Sequence, residues 1–133
     1  MIVLDFIVCL VALILAYKIK TLFHSFNNDE LKLLDWILLY HVFVSVVFHF
    51  YVKSNGGDAF HYWESPKLYS FNEIWTWVVT IGRPTQIMFL FNFFFTNTLN
   101  LSFFTGNILY GIIGYSAIVL FLATIKEIMP YYH

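Results

Sequence analysis

Three long apolar segments constrain this chain more than any other feature of its sequence. Residues 2–17, 33–52 and 103–125 each carry at most one charged side chain. An α-helix needs about 20 predominantly apolar residues to cross the roughly 30 Å hydrocarbon core of a bilayer. The first segment is shorter, but the long side chains of Lys18 and Lys20 can reach the interface and extend it. The sequence therefore predicts an all-α, polytopic helical membrane protein with about three transmembrane helices.

The composition of the 133 residues supports a single membrane domain, 1–133, in contact with lipid. Hydrophobic residues make up 60% of the chain and charged residues 11%, whereas soluble domains carry about 25% charge. The net charge of −1 and the absence of a basic patch exclude a nucleic-acid partner. No Lys or Arg precedes the first segment and no small-residue cleavage motif follows it, which predicts a retained span rather than a signal peptide.

The polar stretch 53–102 is predicted to hold helices at the membrane interface. Trp and Tyr, which concentrate at the membrane–water boundary, are frequent in it. Ser70 and Glu73 have the spacing of a capping box, which predicts a helix over 71–81. Pro84 suits the first turn of a further helix, and the apolar run 85–95 is too short to span, so it predicts a re-entrant or in-plane helix. A fourth, kinked span over residues 74–95 is the alternative.

The distribution of lysines predicts the orientation. Lys18, Lys20 and Lys32 lie between the first two spans, and cytoplasmic loops are enriched in Lys and Arg. In the three-span prediction, Lys126 returns to the cytoplasm and loop 53–102 lies on the outer face. The four-span alternative places Lys126 outside.

Two of the predicted spans carry faces suited to helix packing. On the second span, five polar residues fall within an arc of roughly 120°, and such groups usually face a bundle interior or a wet cavity; they are Asp35, His41, Ser45, His49 and Lys53. On the third, Asn107, Gly111 and Gly114 share a stripe, which favours close approach of another membrane helix.

The candidate chemistry lies in segment 55–64, directly after the second span. Gly56 and Gly57 permit a sharp turn, after which Asp58 opens a short helix. Its carboxylate is predicted to act as a general base on a sugar hydroxyl or to hold a divalent cation that carries phosphates. The alternative is that Asp58 caps the helix by accepting from free backbone N–H groups.

His61, Glu64 and Arg83 are candidate substrate-binding residues. His61 and Glu64 follow Asp58 at intervals of three, so they share a helical face, but the spacing matches no known zinc motif and predicts no metal site. Arg83, the only arginine, lies between Gly82 and Pro84 near a predicted helix N-terminus. It is suited to binding phosphate or to anchoring the chain at the interface.

The order of these features resembles multi-spanning GT-C-type glycosyltransferases and the related bacterial polymerases of exopolysaccharide (O-antigen-like) repeat units. Two spans precede an outer loop that opens Gly-Gly-Asp-Ala-x-x-Tyr-Trp. The resemblance implies a polyprenyl-linked sugar donor, an essential acid at Asp58 and a substrate contact at Tyr62. It covers only the beginning of such a protein. The residues that carry it are Gly56, Gly57, Asp58, Ala59, Tyr62 and Trp63.

Two functions follow as expectations. The first is part of a membrane glycosyltransferase or polysaccharide polymerase in cell-envelope synthesis, with this chain a fragment, a truncated paralogue or one subunit. The second is a small non-enzymatic membrane subunit that packs against a larger partner through Asn107, Gly111 and Gly114.

Overall fold

All regular structure in the residues that the computed structural model describes, 2–23 and 26–129, is helical. This confirms the all-α prediction. The elements are α1 (Ile2–Ile19), a 3₁₀ turn (Lys20–Leu22), α2 (Asn28–Asn55), α3 (Asp58–Glu64), a 3₁₀ turn (Ser65–Leu68), α4 (Phe71–Ile81), α5 (Pro84–Phe93), a π-helical turn (Phe94–Thr98) and α6 (Phe103–Ile128).

Three of these helical segments are long and apolar enough to cross a membrane. They are Ile2–Leu22, Asn28–Asn55 and Phe103–Ile128. Each extends a few residues beyond the apolar run predicted from sequence, because the polar residues at its ends continue the helix. The chain is therefore an integral membrane protein.

Residues 74–95 do not form the kinked fourth span of the alternative prediction. They are divided between α4 and α5, of 11 and 10 residues. The two helices fold back on each other, since Phe71 at the start of α4 packs on Phe93 at the end of α5 with ring centroids 6.0 Å apart, and neither helix alone is long enough to cross a bilayer. Gly82 ends α4 with φ +63°, a left-handed conformation that glycine adopts without a steric penalty. Arg83 then leads into α5, which begins at Pro84 as predicted.

Two capping boxes are present, and the one at α4 confirms the prediction. Asn27 accepts hydrogen bonds from the backbone N–H groups of Asp29 and Glu30, and the Glu30 carboxylate accepts from the N–H of Asn27 at 2.7 Å. At α4, Ser70 and Glu73 make the same reciprocal pair. Hydrogen bonds from the Ser70 backbone and hydroxyl hold the pKa of Glu73 below its usual value.

The spans α2 and α6 pack in antiparallel register along the glycines of α6. A Cβ on Gly111 would stand 2.2 Å from Ser45 Oγ, and one on Gly114 would stand 3.3 Å from His41 Cε1. Later residues of α6 therefore contact earlier residues of α2, so the two helices run in opposite directions. Only residues without a side chain allow the two backbones to come this close.

The first span packs beside α6 through a carboxylate. Asp5 accepts a hydrogen bond from the Ser102 backbone N–H at 2.8 Å and another from Thr105 Oγ1 at 2.6 Å. Because both groups lie at the N-terminus of α6, α1 and α6 begin at the same end of the molecule. Asp5 thus supplies acceptors to a helix start whose N–H groups lack intrahelical partners.

The opposite end is held by two ion pairs, and we call it the lysine end. Lys20 pairs with Asp35 and also donates to the Leu31 carbonyl at 3.2 Å. Lys126 pairs with Glu30 at 2.5 Å. All three spans therefore meet at the lysine end. The end that carries α3, α4 and α5 is called the loop end.

A buried tryptophan packs the loop end against the spans. Trp63 of α3 is 2% exposed and stacks on Phe95 with ring centroids 6.4 Å apart. Its six-membered ring lies against Gly106, where an added Cβ would be only 2.4 Å from Trp63 Cζ3. The buried ring therefore fixes the position of α3 on α6.

Candidate functional site

The candidate site begins at the glycine turn between α2 and α3. Gly56 and Gly57 have φ values of +76° and +145°, a region that L side chains rarely adopt. No atom lies within 4 Å of a Cβ added at either glycine, so backbone conformation rather than space requires glycine here. The predicted sharp turn is confirmed, and it places Asp58 at the first position of α3.

Asp58 is exposed and has no partner in the described part of the chain. The N-cap of α3 is Gly57, and no side chain caps this helix. The alternative interpretation of Asp58 as a capping residue is therefore wrong, because the carboxylate lies one position past the cap and accepts no backbone N–H. Its negative charge still lies in the first turn, where the helix dipole favours it.

His61 and Glu64 lie on one side of α3, along a shallow depression of about 480 Å³. His61 Nδ1 is 2.9 Å from the hydroxyl of Ser65, and both oxygens of Glu64 accept from Lys67, at 2.8 and 2.7 Å. The depression is lined by Gly57, Phe60, His61, Glu64, Ser65, Lys67 and Leu68.

The described residues contain no cluster of three His, Cys, Asp or Glu side chains that could hold a metal ion. Glu64 is already paired with Lys67, and Asp58 is not among the residues that line the depression. Asp58 therefore offers one carboxylate to a cation, and the remaining ligands would come from a bound phosphate.

Arg83 is the N-cap of α5 and is exposed. Within the described residues its side chain makes neither an ion pair nor a hydrogen bond, and it lines neither the depression beside His61 nor the second cavity described below. The structure thus presents Asp58 and Arg83 as two separate exposed charges at the loop end. A free guanidinium next to a helix start is suited to binding a phosphate group.

Tyr62, whose ring centroid is 6.0 Å from that of His61, lines a second cavity. This cavity has a volume of about 460 Å³ and lies between α2, α3, α5 and α6. Its walls are mainly apolar. They are formed by His41, Val44, Ser45, Phe48, Ala59, Tyr62, Trp63, Met88, Asn92, Phe103, Asn107, Tyr110 and Gly111.

A buried asparagine joins three helices beside this cavity. Asn92 of α5 is 2% exposed; it donates to the Tyr62 carbonyl at 2.8 Å and accepts from the Tyr110 hydroxyl at 2.5 Å. Sequence reasoning did not single out Asn92 or Tyr110. The sequence feature that could have indicated this contact is the amide of Asn92 inside the apolar run 85–95, because a buried polar group needs hydrogen-bond partners.

The polar stripe of α2 faces the bundle interior, as predicted, from Asp35 to His49. His41 packs edge-on against Tyr115 with ring centroids 6.5 Å apart, and His49 Nδ1 lies 3.5 Å from Asn107 Nδ2. Lys53, at the end of the stripe, is exposed.

The stripe formed by Asn107, Gly111 and Gly114 meets a helix of the same chain. These residues pack on α2, and this corrects the expectation that the face would accept a helix of a second protein. The pattern of small residues predicts close helix packing but does not identify which helix approaches.

Comparison of the chain with protein-family models, with curated proteins and with solved structures finds no match.

Proposed function

We propose that this chain forms part of a membrane glycosyltransferase or polysaccharide polymerase that acts on polyprenyl-linked sugars at the outer face of a bacterial inner membrane. The proposal rests on the exposure and position of the Asp58 carboxylate. Its carboxylate is exposed, without a partner among the described residues, and held at the start of a helix directly after a span. A general base must be free to accept a proton and must be positioned within reach of it.

The proposed role of Asp58 is to accept the proton of a sugar hydroxyl. As that oxygen forms a bond to the anomeric carbon of the donor sugar, the bond from this carbon to the lipid-linked phosphate breaks. The phosphate leaves with the bonding electrons, and the proton remains on Asp58. Alternatively, Asp58 holds a divalent cation that neutralises the departing phosphate.

The remaining candidates contribute to binding. Arg83, an exposed cation of the loop end whose side chain has no partner among the described residues, is assigned to the phosphate groups. His61 and Glu64 line the depression beside α3 and are assigned to sugar hydroxyls. Tyr62 lies beside His61, with ring centroids 6.0 Å apart, and its ring is assigned to the sugar of the donor.

The test is Asp58→Asn, compared with Asp29→Asn at the lysine end. Asp29 is also exposed, and its ion pair with Lys32 is exposed as well, so the loss of this pair has little effect on stability. Sugar transfer is measured in membranes from cells that express the native reading frame. Loss of a general base lowers the rate by about 10²–10⁴-fold.

Normal transfer by Asp58→Asn, in protein that is inserted at the wild-type level, would contradict the proposal. Loss of transfer in both variants would also contradict it, because the effect would then not depend on the site.

The alternative of a small non-enzymatic subunit has lost part of its support. It depended on an unpartnered Asn107–Gly111–Gly114 face, and this face packs on α2.

A further inference from the structure

The cavity of about 460 Å³ between α2, α3, α5 and α6 lies within one half of the membrane. On α2 it extends from His41 to Phe48, which at 1.5 Å per residue is about 10 Å. His41 lies near the middle of the 28-residue helix α2, and Phe48 lies towards the loop end. The cavity is therefore shorter than one leaflet, whose hydrocarbon is about 15 Å thick.

The mouth of the cavity opens to lipid. Three of its apolar lining residues are substantially exposed: Val44 and Phe48 at 41% each, on α2, and Met88 at 38%, on α5. Val44 and Phe48 belong to a membrane-spanning helix, so the medium outside this mouth is hydrocarbon. An occupant would enter sideways between α2 and α5.

The floor of the cavity is buried and carries a free acceptor towards the loop end. Asn107 is 7% exposed, and the only hydrogen bond of its side chain in the described part of the chain is the long contact of Nδ2 with His49. No described residue donates to its side-chain amide oxygen, Oδ1. Asn107 is the fifth residue of α6, so it lies about 6 Å below the helix start, close to the polar boundary of the leaflet.

We infer that this cavity binds one acyl chain of a bilayer phospholipid from the loop-end leaflet as a retained lipid. The apolar walls take the chain, and Asn107 lies near the level of the polar linkage, where its free amide oxygen can accept a hydrogen bond from water bound to that linkage. The volume is within the range of about 300–1,000 Å³ typical of ligand sites. Because the cavity is shorter than one leaflet is thick, it favours an acyl chain that lies within one leaflet. This inference does not depend on the proposed function.

The test compares Val44→Trp with Val47→Trp. Val44 lines the mouth, whereas Val47 is 50% exposed on the same helix and does not line the cavity. Both substitutions add the same indole to an exposed position, so both are expected to leave the fold intact. The protein is transferred from membranes into fresh detergent, and bound lipids are counted and identified by native mass spectrometry.

A retained phospholipid is expected in wild type and in Val47→Trp, and its loss is expected in Val44→Trp. In a second measurement, a phospholipid with a photoreactive diazirine in its acyl chain should label peptides that contain Val44 or Met88. The labelling should also be lost in Val44→Trp.

Equal retention in both variants, absence of retained lipid from wild type, or retention of a polyprenyl phosphate in place of a phospholipid would each overturn the inference. None of these results bears on whether Asp58→Asn lowers sugar transfer.

Discussion

At the scale of single residues, Asn92 shows how a buried amide organises the loop end. Its two hydrogen bonds join α5 to the backbone of α3 and to the side chain of Tyr110 on α6. In a largely apolar environment an unpaired polar group is costly, so the three helices are held in one arrangement that satisfies all these groups. The cavity between α2, α3, α5 and α6 takes its shape from this arrangement.

Replacing Asn92 by leucine should destabilise the protein by about 1–3 kcal/mol, because the Tyr110 hydroxyl and the Tyr62 carbonyl would lose their partner inside the protein. Thermal unfolding in detergent, followed by circular dichroism, measures the effect. The matched control is Asn72→Leu on exposed α4, where the side chain makes no hydrogen bond with a described residue. Equal melting temperatures for the two variants would contradict this role for Asn92.

At the scale of elements, the contact between α2 and α6 determines how the spans pack. Gly111 allows α6 to approach Ser45 and the His41 carbonyl, which an added Cβ would meet at 2.2 and 3.2 Å. The tighter of these contacts involves the Ser45 hydroxyl oxygen. At Gly114 the nearest atom belongs to the His41 ring, at 3.3 Å, and a small rotation of the ring can relieve it.

Gly111→Ala should therefore destabilise the protein by about 1–3 kcal/mol, as overpacked sites typically do, and Gly114→Ala by less. Adding Ser45→Ala to Gly111→Ala should recover most of the loss, because the Ser45 Cβ that remains is 3.5 Å from the new methyl group. Unfolding of the two single variants and the pair gives the coupling energy in a double-mutant cycle. Additive losses would show that this contact does not set the helix spacing.

At the scale of the whole molecule, the two ends differ in their charges. The lysine end joins the spans through the Lys20–Asp35 and Lys126–Glu30 pairs. The loop end carries three exposed charges, Lys53, Asp58 and Arg83, whose side chains have no partner among the described residues. Because cytoplasmic segments are enriched in Lys and Arg, we expect the lysine end to face the cytoplasm and the loop end to face outwards.

This orientation can be measured with single cysteines in a Cys9→Ala background, since Cys9 is the only native cysteine. With Lys67→Cys, a membrane-impermeant thiol reagent should label intact spheroplasts. With Glu127→Cys, labelling should require permeabilisation. The reverse labelling pattern would show that the loop end faces the cytoplasm. Labelling of both cysteine variants in intact spheroplasts would favour an even number of spans.

The features predicted correctly are those that depend on short stretches of sequence. The helix over 71–81 follows from Ser70 and Glu73, which lie within one turn of each other. The turn at Gly56 and Gly57 follows from a backbone conformation that few other residues adopt. The packing partner of Gly111 was predicted wrongly, because a stripe of small residues describes one surface and does not specify the surface that meets it.

The sequence by itself thus determined the class of the protein, its three spans and the starts of its helices, because apolar length and helix capping act over a few neighbouring residues. The tertiary structure decided that Asp5 supports the start of α6, that Asn92 joins three helices, that Asp58 has no partner among the described residues and that a cavity opens towards lipid. These features depend on distances between residues far apart in the chain, and only the packing of the helices sets those distances.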